Sequence, residues 1–559
     1  MISHPGLVLI LAAALIAPLR GWPRAAVALA APVACLLVVW NVPEGVHWKA
    51  QFLEMELAPF AVDKLSRLFA IIFALMALGG ALFALNQERR AELPAAMLYA
   101  GSAIGAALAG DLVTLFVFWE LMAVGSTLVL WSGGTPFAYR ASMRYLMVHL
   151  LGGMLLFAGV AAHVLHTGST VFTAMPLDGV SQYLILAAFL VNAAAWPISA
   201  WLPDAYPEAS WSGMVFLSAF TTKTAVYVLL RGFPGVELLV YVGLVMVFYG
   251  IVYALLENDM RRILAYSIVN QVGFMVTGIG LGSEMALNGA AAHAFTHILY
   301  KALLLMSAGS VLLVTGRRKC TDLGGLYHSM PFTTACGIIG ALSISSFPLT
   351  SGFVSKSMIS QAASDAHLFV VWMLLAAASA GVFLHAGIKF PWFVFFQKDS
   401  GLRPPEPPWN MRLAMAFFSA LCIGLGIFYE PLYRLLPYAV DYEPYTAWHV
   451  LAQLQLLLFS GLAFFVMLGW LKRTLTITLD LDWLYRVLFP RLVGAAARLL
   501  SHGMAACEAA VAAIGSRVDA AARSLVHAQG LFARTWASGS MALGMMLMLL
   551  AFLVSYYLF

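Results

Sequence analysis

Apolar stretches of membrane-crossing length follow one another along this 559-residue chain, from near Pro5 to Phe559. A bilayer core takes roughly 20 apolar residues per helix, and on that measure about fourteen to sixteen spans are expected. Hydrophobic residues make up 62% of the chain and charged residues 10%, against about 25% charged in a soluble domain. Charge this scarce cannot clothe a soluble globule of this size. Pro, Gly and charge are also too scattered for a disordered or collagenous chain. The reading is a multi-pass protein of the cell inner (plasma) membrane, solvated by lipid. The first apolar stretch is a retained helix, because His4 and Pro5 precede it and Arg20 and Arg24 follow it, the reverse of a signal peptide's basic start. The net charge of +5 is small and no basic patch stands out, so no nucleic-acid partner is expected. The five cysteines lie far apart without a CxxC pair or a Cys/His cluster, so neither a metal nor another cofactor is expected.

Short loops rich in Lys and Arg face the cytoplasm. Arg20 and Arg24 follow the first span, Arg89 and Arg90 the third, and Arg140 and Arg144 the fifth, whereas residues 166–182 hold no Lys or Arg. Odd-numbered loops are then cytoplasmic and the N-terminus is outside. Arg261 and Arg262, then Arg317, Arg318 and Lys319, keep this parity if one span lies between Gln182 and Trp201 and another between Trp211 and Leu230. A segment near Pro348–Lys356 that fails to cross would reverse it. Beyond Lys472 and Arg473 the pattern changes. Arg491, Arg498, His502, Arg517, Asp519, Arg523, His527 and Arg534 fall mostly 3, 4 or 7 apart, on one helical face. A helix over 480–534 would run about 70–80 Å at 1.5 Å per residue, suited to lying on the membrane surface. The expected layout is a transmembrane core over 1–475, an amphipathic lateral helix on the cytoplasmic surface over 476–540 and a final transmembrane helix over 541–559.

Ionisable groups in the middle of apolar helices are costly and mark function by default. Glu120 sits in DLVTLFVFWELMAVGSTLVLW, where a partner that comes and goes would make it a group that loads and releases a proton. Lys223 lies deep in SWSGMVFLSAFTTKTAVYVLLR with little reach to water, and a desolvated lysine, unlike an arginine, can become neutral. His293, His297 and Lys301 recur at i, i+4 and i+8, one titratable group about every 6 Å along one helix face. Lys389 is flanked by Gly387 and Pro391 with His385 one turn before it, which predicts a helix break beside the lysine. A second interruption is expected at Trp196–Glu208, around Pro203. Paired interruptions of this kind suit the broken helices of inverted-repeat transporters. The plainer alternatives are, in turn, a structural ion pair for Glu120, a snorkelling side chain for Lys223, packed side chains for His293 and His297 and a helix-end lysine for Lys389.

The ordered motifs WLPDAYPEAS, TTKTAVYVLLR, DMRRILAYSIVNQVGF, HAFTHILYKALLLMSAGS and FPLTSGFVSK resemble the antiporter-like subunits of respiratory complex I, membrane-bound hydrogenases and Mrp-type multisubunit Na+/H+ antiporters, over about residues 60–400. YPEAS ahead of TTKTAVY is most similar to the Mrp-type D subunit. The resemblance implies an all-α core of about fourteen transmembrane helices in two inverted five-helix repeats with broken helices. It also implies roles. Glu120 and Lys223 match a glutamate–lysine pair that opens and closes, and His293, His297 and Lys301 a central relay. Lys389 matches a terminal residue, and Lys356 a motif lysine. Three departures stand out. Ala200 and Tyr206 replace frequent histidines, Arg261 replaces a common lysine beside Arg262, and the long C-terminal helix resembles the lateral helix of one complex I subunit. The function expected is proton translocation within a monovalent cation (Na+)/H+ antiporter, alongside other membrane subunits and lipid, with no bond-making chemistry of its own. The alternatives are a pumping module of a redox complex, a non-transporting scaffold, or a role in energising uptake of a small anion such as bicarbonate.

Overall fold

The computed structural model describes residues 4–469, 480–533 and 535–558 and divides into two units, Met1–Asp482 and Trp483–Phe559. Lys472, Arg473 and Arg534 lie outside the described residues. In the first unit, α1 (Pro5–Ile16) and α2 (Gly21–Asn41) lead into an antiparallel hairpin, β1 (Gly45–Phe52) and β2 (Met55–Val62), absent from the all-helical expectation. Then come α3 (Lys64–Phe83), α4 (Glu92–Ala107), α5 (Leu112–Trp131), α6 (Pro136–Thr167) and α7 (Val180–Asn192). Short α8 (Trp201–Ala205) and α9 (Gly213–Leu217) precede α10 (Thr221–Gly232), α11 (Leu238–Leu256), α12 (Met260–Leu281) and α13 (Glu284–Thr315). The unit closes with α14 (Pro331–Ile344), α15 (Ser351–Asp365), α16 (Phe369–Val382), α17 (Trp409–Ile427), α18 (Glu430–Arg434) and α19 (Ala447–Val466). Among the described residues thirteen helices are long and apolar enough to cross a membrane, and shorter helices such as α1, α7 and α14 accompany them.

Helix ends follow local chemistry. Asp63 caps α3 in a reciprocal capping box with Ser66, and Asp111 caps α5 through the backbone N–H of Thr114 at 2.7 Å. Glycines let helices meet closely: a Cβ on Gly243 or Gly250 would strike the α12 backbone, which keeps α11 and α12 in contact along their length. The α9–α10 span and α12 are buried throughout their central stretches. They carry the polar residues because their neighbours shield them from lipid.

Ion pairs tie together loops that the charge parity puts on one side. Arg231 meets Asp63 at 2.5 Å, on the side that parity makes outer, while Arg318 joins Asp259 (2.7 Å) and Glu208 (2.9 Å), on the side that it makes inner. Arg140 and Arg144 lie within the first turns of α6 and not in a loop, and Arg144 reaches Asp204. The segment around Pro348 does cross. Gly337 and Gly340 of α14 face Ser307 and Leu304, Gly352 faces Tyr300, and Ile359 of α15 faces Gly289. The order runs backwards along α13, so α14 and α15 form one interrupted crossing, hinged at Ser346 (φ 58°) and Leu349 (φ 67°).

The second unit holds α20 (Phe489–Val526), preceded by a π-helical turn at Leu484–Leu488, and α21 (Ser538–Leu558). At 38 residues α20 runs about 57 Å, shorter than the 70–80 Å expected, because the backbone turns extended at His527. No residue of either helix is buried, and Asp519 pairs with Arg523 at 2.6 Å along the charged face.

Candidate functional site

Glu120 lies midway along α5, half-buried, with its Oε1 shielded and without a hydrogen-bond partner. Its room comes from α6: a Cβ on Gly153 would collide with Oε1. No sequence signal marked Gly153. One turn earlier on α6, His149 is buried with Nδ1 against Asn192 Oδ1 at 2.8 Å and its ring against Trp201.

Lys223 is fully buried in the third position of α10. The helix breaks at Ser218–Phe220, between α9 and α10, a break the sequence reading did not mark. The lysine uses the carbonyl so released: Nζ donates to Ser218 O at 2.7 Å and to Thr222 Oγ1 at 3.1 Å. Among the described residues it forms no salt bridge, with Glu120 or any other carboxylate. The structure therefore holds Glu120 and Lys223 unpaired. Beside the break, Thr221 Oγ1 meets Tyr99 OH at 2.6 Å and Tyr145 OH at 3.3 Å, and Tyr145 donates to Ser126 at 2.9 Å. Four helices thus share one hydroxyl cluster.

On α13 the three titratable groups are all fully buried. His293 bridges Ser355 Oγ (3.1 Å) and Gln271 Oε1 (2.9 Å), and Tyr300 OH donates to the same Gln271 oxygen at 3.2 Å. His297 stands 6.3 Å from His293 by ring centroids, with neither ring nitrogen hydrogen-bonded. Lys301 Nζ donates to Ser267 Oγ at 2.9 Å. Gln271 and Ser355 lie inside motifs quoted above, yet only packing shows that they join the histidine.

Lys356 Nζ has no hydrogen-bond partner and lies 4.2 Å from the Phe274 ring centroid. Lys389 donates to three carbonyls at the C-terminus of α11, Ala254 (3.1 Å), Leu255 (2.5 Å) and Glu257 (2.6 Å). Negative helix-end carbonyls welcome a cation there. His385 is buried, with Nδ1 on Gly381 O at 2.8 Å. The expected break at Gly387–Pro391 takes another form. The chain stays helical from Phe369 to Phe396 but widens into π-turns at Phe383–Lys389 and Trp392–Phe396. The wider turn accommodates the missing N–H of Pro391 without parting the helix. Pro203 sits inside the five-residue α8, in the non-continuous stretch between α7 and α9, where Asp204 receives Arg144 at 2.7 and 2.9 Å. Arg261 donates to Ala209 O and Ser210 O and so fastens the turn ahead of α9, and Arg262 pairs with Glu257 at 2.9 Å. Neither arginine touches the α13 relay by hydrogen bond.

Residues 109–382 match the family model described as NADH:quinone oxidoreductase/Mrp antiporter, transmembrane. The D subunit of the Na(+)/H(+) antiporter of Alkalihalophilus pseudofirmus is 28% identical over 409 residues, 67% of this chain and 82% of that protein. In fold, a chain of the Mrp complex from Dietzia superposes with a TM-score of 0.77 at 24% identity, over 92% of this chain and 62% of that one. A chain of the membrane-bound sulfane sulfur reductase, an archaeal respiratory membrane complex, gives 0.73 at 23% identity over 98% and 99%.

Proposed function

Through residues 109–382 the chain belongs to the NADH:quinone oxidoreductase/Mrp antiporter transmembrane family, and on that premise we propose that it is the proton-translocating subunit of a multisubunit monovalent cation/H+ antiporter, with Na+ the exchanged cation. The relatives are subunits of membrane complexes, so other membrane subunits complete the machine. One observation carries the reading: Lys223 is buried at a helix break with only neutral acceptors. An ammonium so placed holds its proton cheaply only when a carboxylate closes on it. Glu120 is that carboxylate, free to move because its Oε1 is unpartnered beside Gly153. Closing the pair keeps Lys223 charged. Opening it drives the proton toward His297 and Lys301, and each arrival shifts the next group's affinity. Lys389, caged at the end of α11, terminates the relay.

Everted vesicles carrying the native complex test this. Glu120→Ala and Lys223→Ala each lower cation-driven proton flux by about a hundredfold while the complex still assembles. Full flux in Glu120→Ala defeats the proposal. The structural likeness across 98% of this chain to the sulfane sulfur reductase chain supports a second reading, a pumping module of a redox complex. Iron–sulfur subunits copurifying in mild detergent would select it.

A further inference from the structure

Arg20 and Arg24 at the start of α2 and Arg90 ahead of α4 read as topology marks in the sequence, but the fold brings them to one place. Arg24 Nη2 donates to Arg90 O at 2.9 Å, joining segments 66 residues apart. With Arg20 they line a cavity of about 230 Å3, walled in part by Gln87 and with Glu88 the one carboxylate among its described lining residues. Among the described residues no carboxylate pairs with any of the three guanidiniums. Three like charges thus converge on a hollow, a standing repulsion that an anion between them relieves.

Its surroundings suit a lipid. Trp22, between the two α2 arginines, is 80% exposed, the placing of an aromatic ring at headgroup level. Charge parity puts this end of α2 on the cytoplasmic side, the leaflet whose anionic headgroups attract basic segments. A strip of exposed residues then leads away from the hollow. Ala25 lines the cavity, and Ala26, Ala30, Val33 and Leu37, spaced 4, 3 and 4 apart on one face of α2, are all exposed. The strip runs about 16 Å at 1.5 Å per residue, close to the roughly 15 Å of one leaflet's half of a bilayer core. A free anion needs only the hollow, whereas a phospholipid uses hollow and strip together.

We propose that the hollow binds an anionic phospholipid of the cytoplasmic leaflet, its phosphodiester between Arg20, Arg24 and Arg90 and an acyl chain along α2. A zwitterionic lipid brings its own cation to the same arginines and is disfavoured there. The site also reaches into the bundle. Gln87 Nε2 donates to Ser212 Oγ at 2.8 Å, in the turn ahead of α9, so a lipid that holds the Gln87 loop steadies the segment leading to the α9–α10 break.

The test uses the full chain in its native complex, with exposed Cys507 replaced by serine so that the four remaining cysteines are buried. Ala30→Cys, on the strip, carries a fluorophore, and the complex is placed in mixed vesicles of phosphatidylcholine and phosphatidylglycerol in which only one lipid has brominated chains. At equal mole fraction, brominated phosphatidylglycerol is expected to quench more strongly than brominated phosphatidylcholine. Arg20→Gln/Arg24→Gln is expected to lower the apparent affinity for phosphatidylglycerol by roughly 25-fold, about fivefold for each arginine. Arg20→Lys/Arg24→Lys keeps the charge and should retain most of it. Equal quenching by the two lipids means unselective solvating lipid and overturns the proposal. Quenching by neither means that a partner subunit covers the strip, and overturns it as well. A preference that survives the glutamine pair takes the headgroup away from these arginines. Loss of the preference on adding inorganic phosphate at constant ionic strength assigns the hollow to the free anion and overturns the lipid assignment. None of these readouts depends on proton flux, so the proposal stands or falls apart from the translocation reading.

Discussion

Glu120 and Gly153 show how one absent side chain can set a functional geometry. The carboxylate fills the space that a Cβ on Gly153 would take, so Gly153→Ala must displace it or strain α6. Overpacking of this kind costs about 1–3 kcal/mol. Proton flux in everted vesicles is expected to fall toward the Glu120→Ala level while the complex still assembles, and unchanged flux would mean that the carboxylate's position does not matter. Arg144 and Asp204 make the complementary case. Asp204 is buried and takes two hydrogen bonds from Arg144, so Arg144→Ala removes the guanidinium from a buried carboxylate, at about 3 kcal/mol. Thermal unfolding in detergent should show that loss, and an Arg144→Ala/Asp204→Ala double variant should recover part of it.

Among the elements, two helices are interrupted in different ways for one purpose. Between α9 and α10 the helix parts at Ser218–Phe220 and hands a carbonyl to Lys223. Beyond α16 the helix stays whole, widens into π-turns, and sends Lys389 across to the end of α11. The second arrangement makes Lys389 a cap as well as a proton carrier, and the two roles separate by substitution. Lys389→Met leaves three carbonyls without their donor and should destabilise the protein by about 1–3 kcal/mol. Lys389→Arg keeps a donor for the cap but cannot release a proton, so melting should stay near wild type while flux is lost. Equal loss of stability in both variants would refute the separation. Proline at 391 told of an irregular helix, and the proline-rich stretch at Trp196–Glu208 told of another. Nothing in SAF at 218–220 did, since serine, alanine and phenylalanine are ordinary helix residues and the break is imposed by packing.

At the scale of the molecule, residues up to Asp482 form one unit around α10, α12 and α13, and residues from Trp483 form another. Truncation after Asp482 should leave the melting temperature of the first unit within a few degrees, because that unit packs around a hydrophobic core of its own residues. Recovery of partner subunits in a mild-detergent pull-down should fall, since α20 presents a long amphipathic face with no buried residue. Unchanged recovery would assign α20 to the lipid surface alone. The charge parity read from loops agrees with the Arg231–Asp63 and Arg318–Asp259 pairs, which join residues that parity places on one side.

By itself the sequence determined the solvent, the helical class and the few positions where a charge sits inside an apolar span. Each of these is a cost or gain incurred locally, against lipid or water, and so leaves a mark in one dimension. Tertiary structure decided the partners. Glu120 faces Gly153 and stands unpaired from Lys223, His293 meets Gln271 and Ser355, α14 and α15 join as one crossing, and Lys356 faces a cavity. Small residues let many helix pairs approach equally well, so which of them meet depends on the packing of the whole bundle and is not written in any one helix.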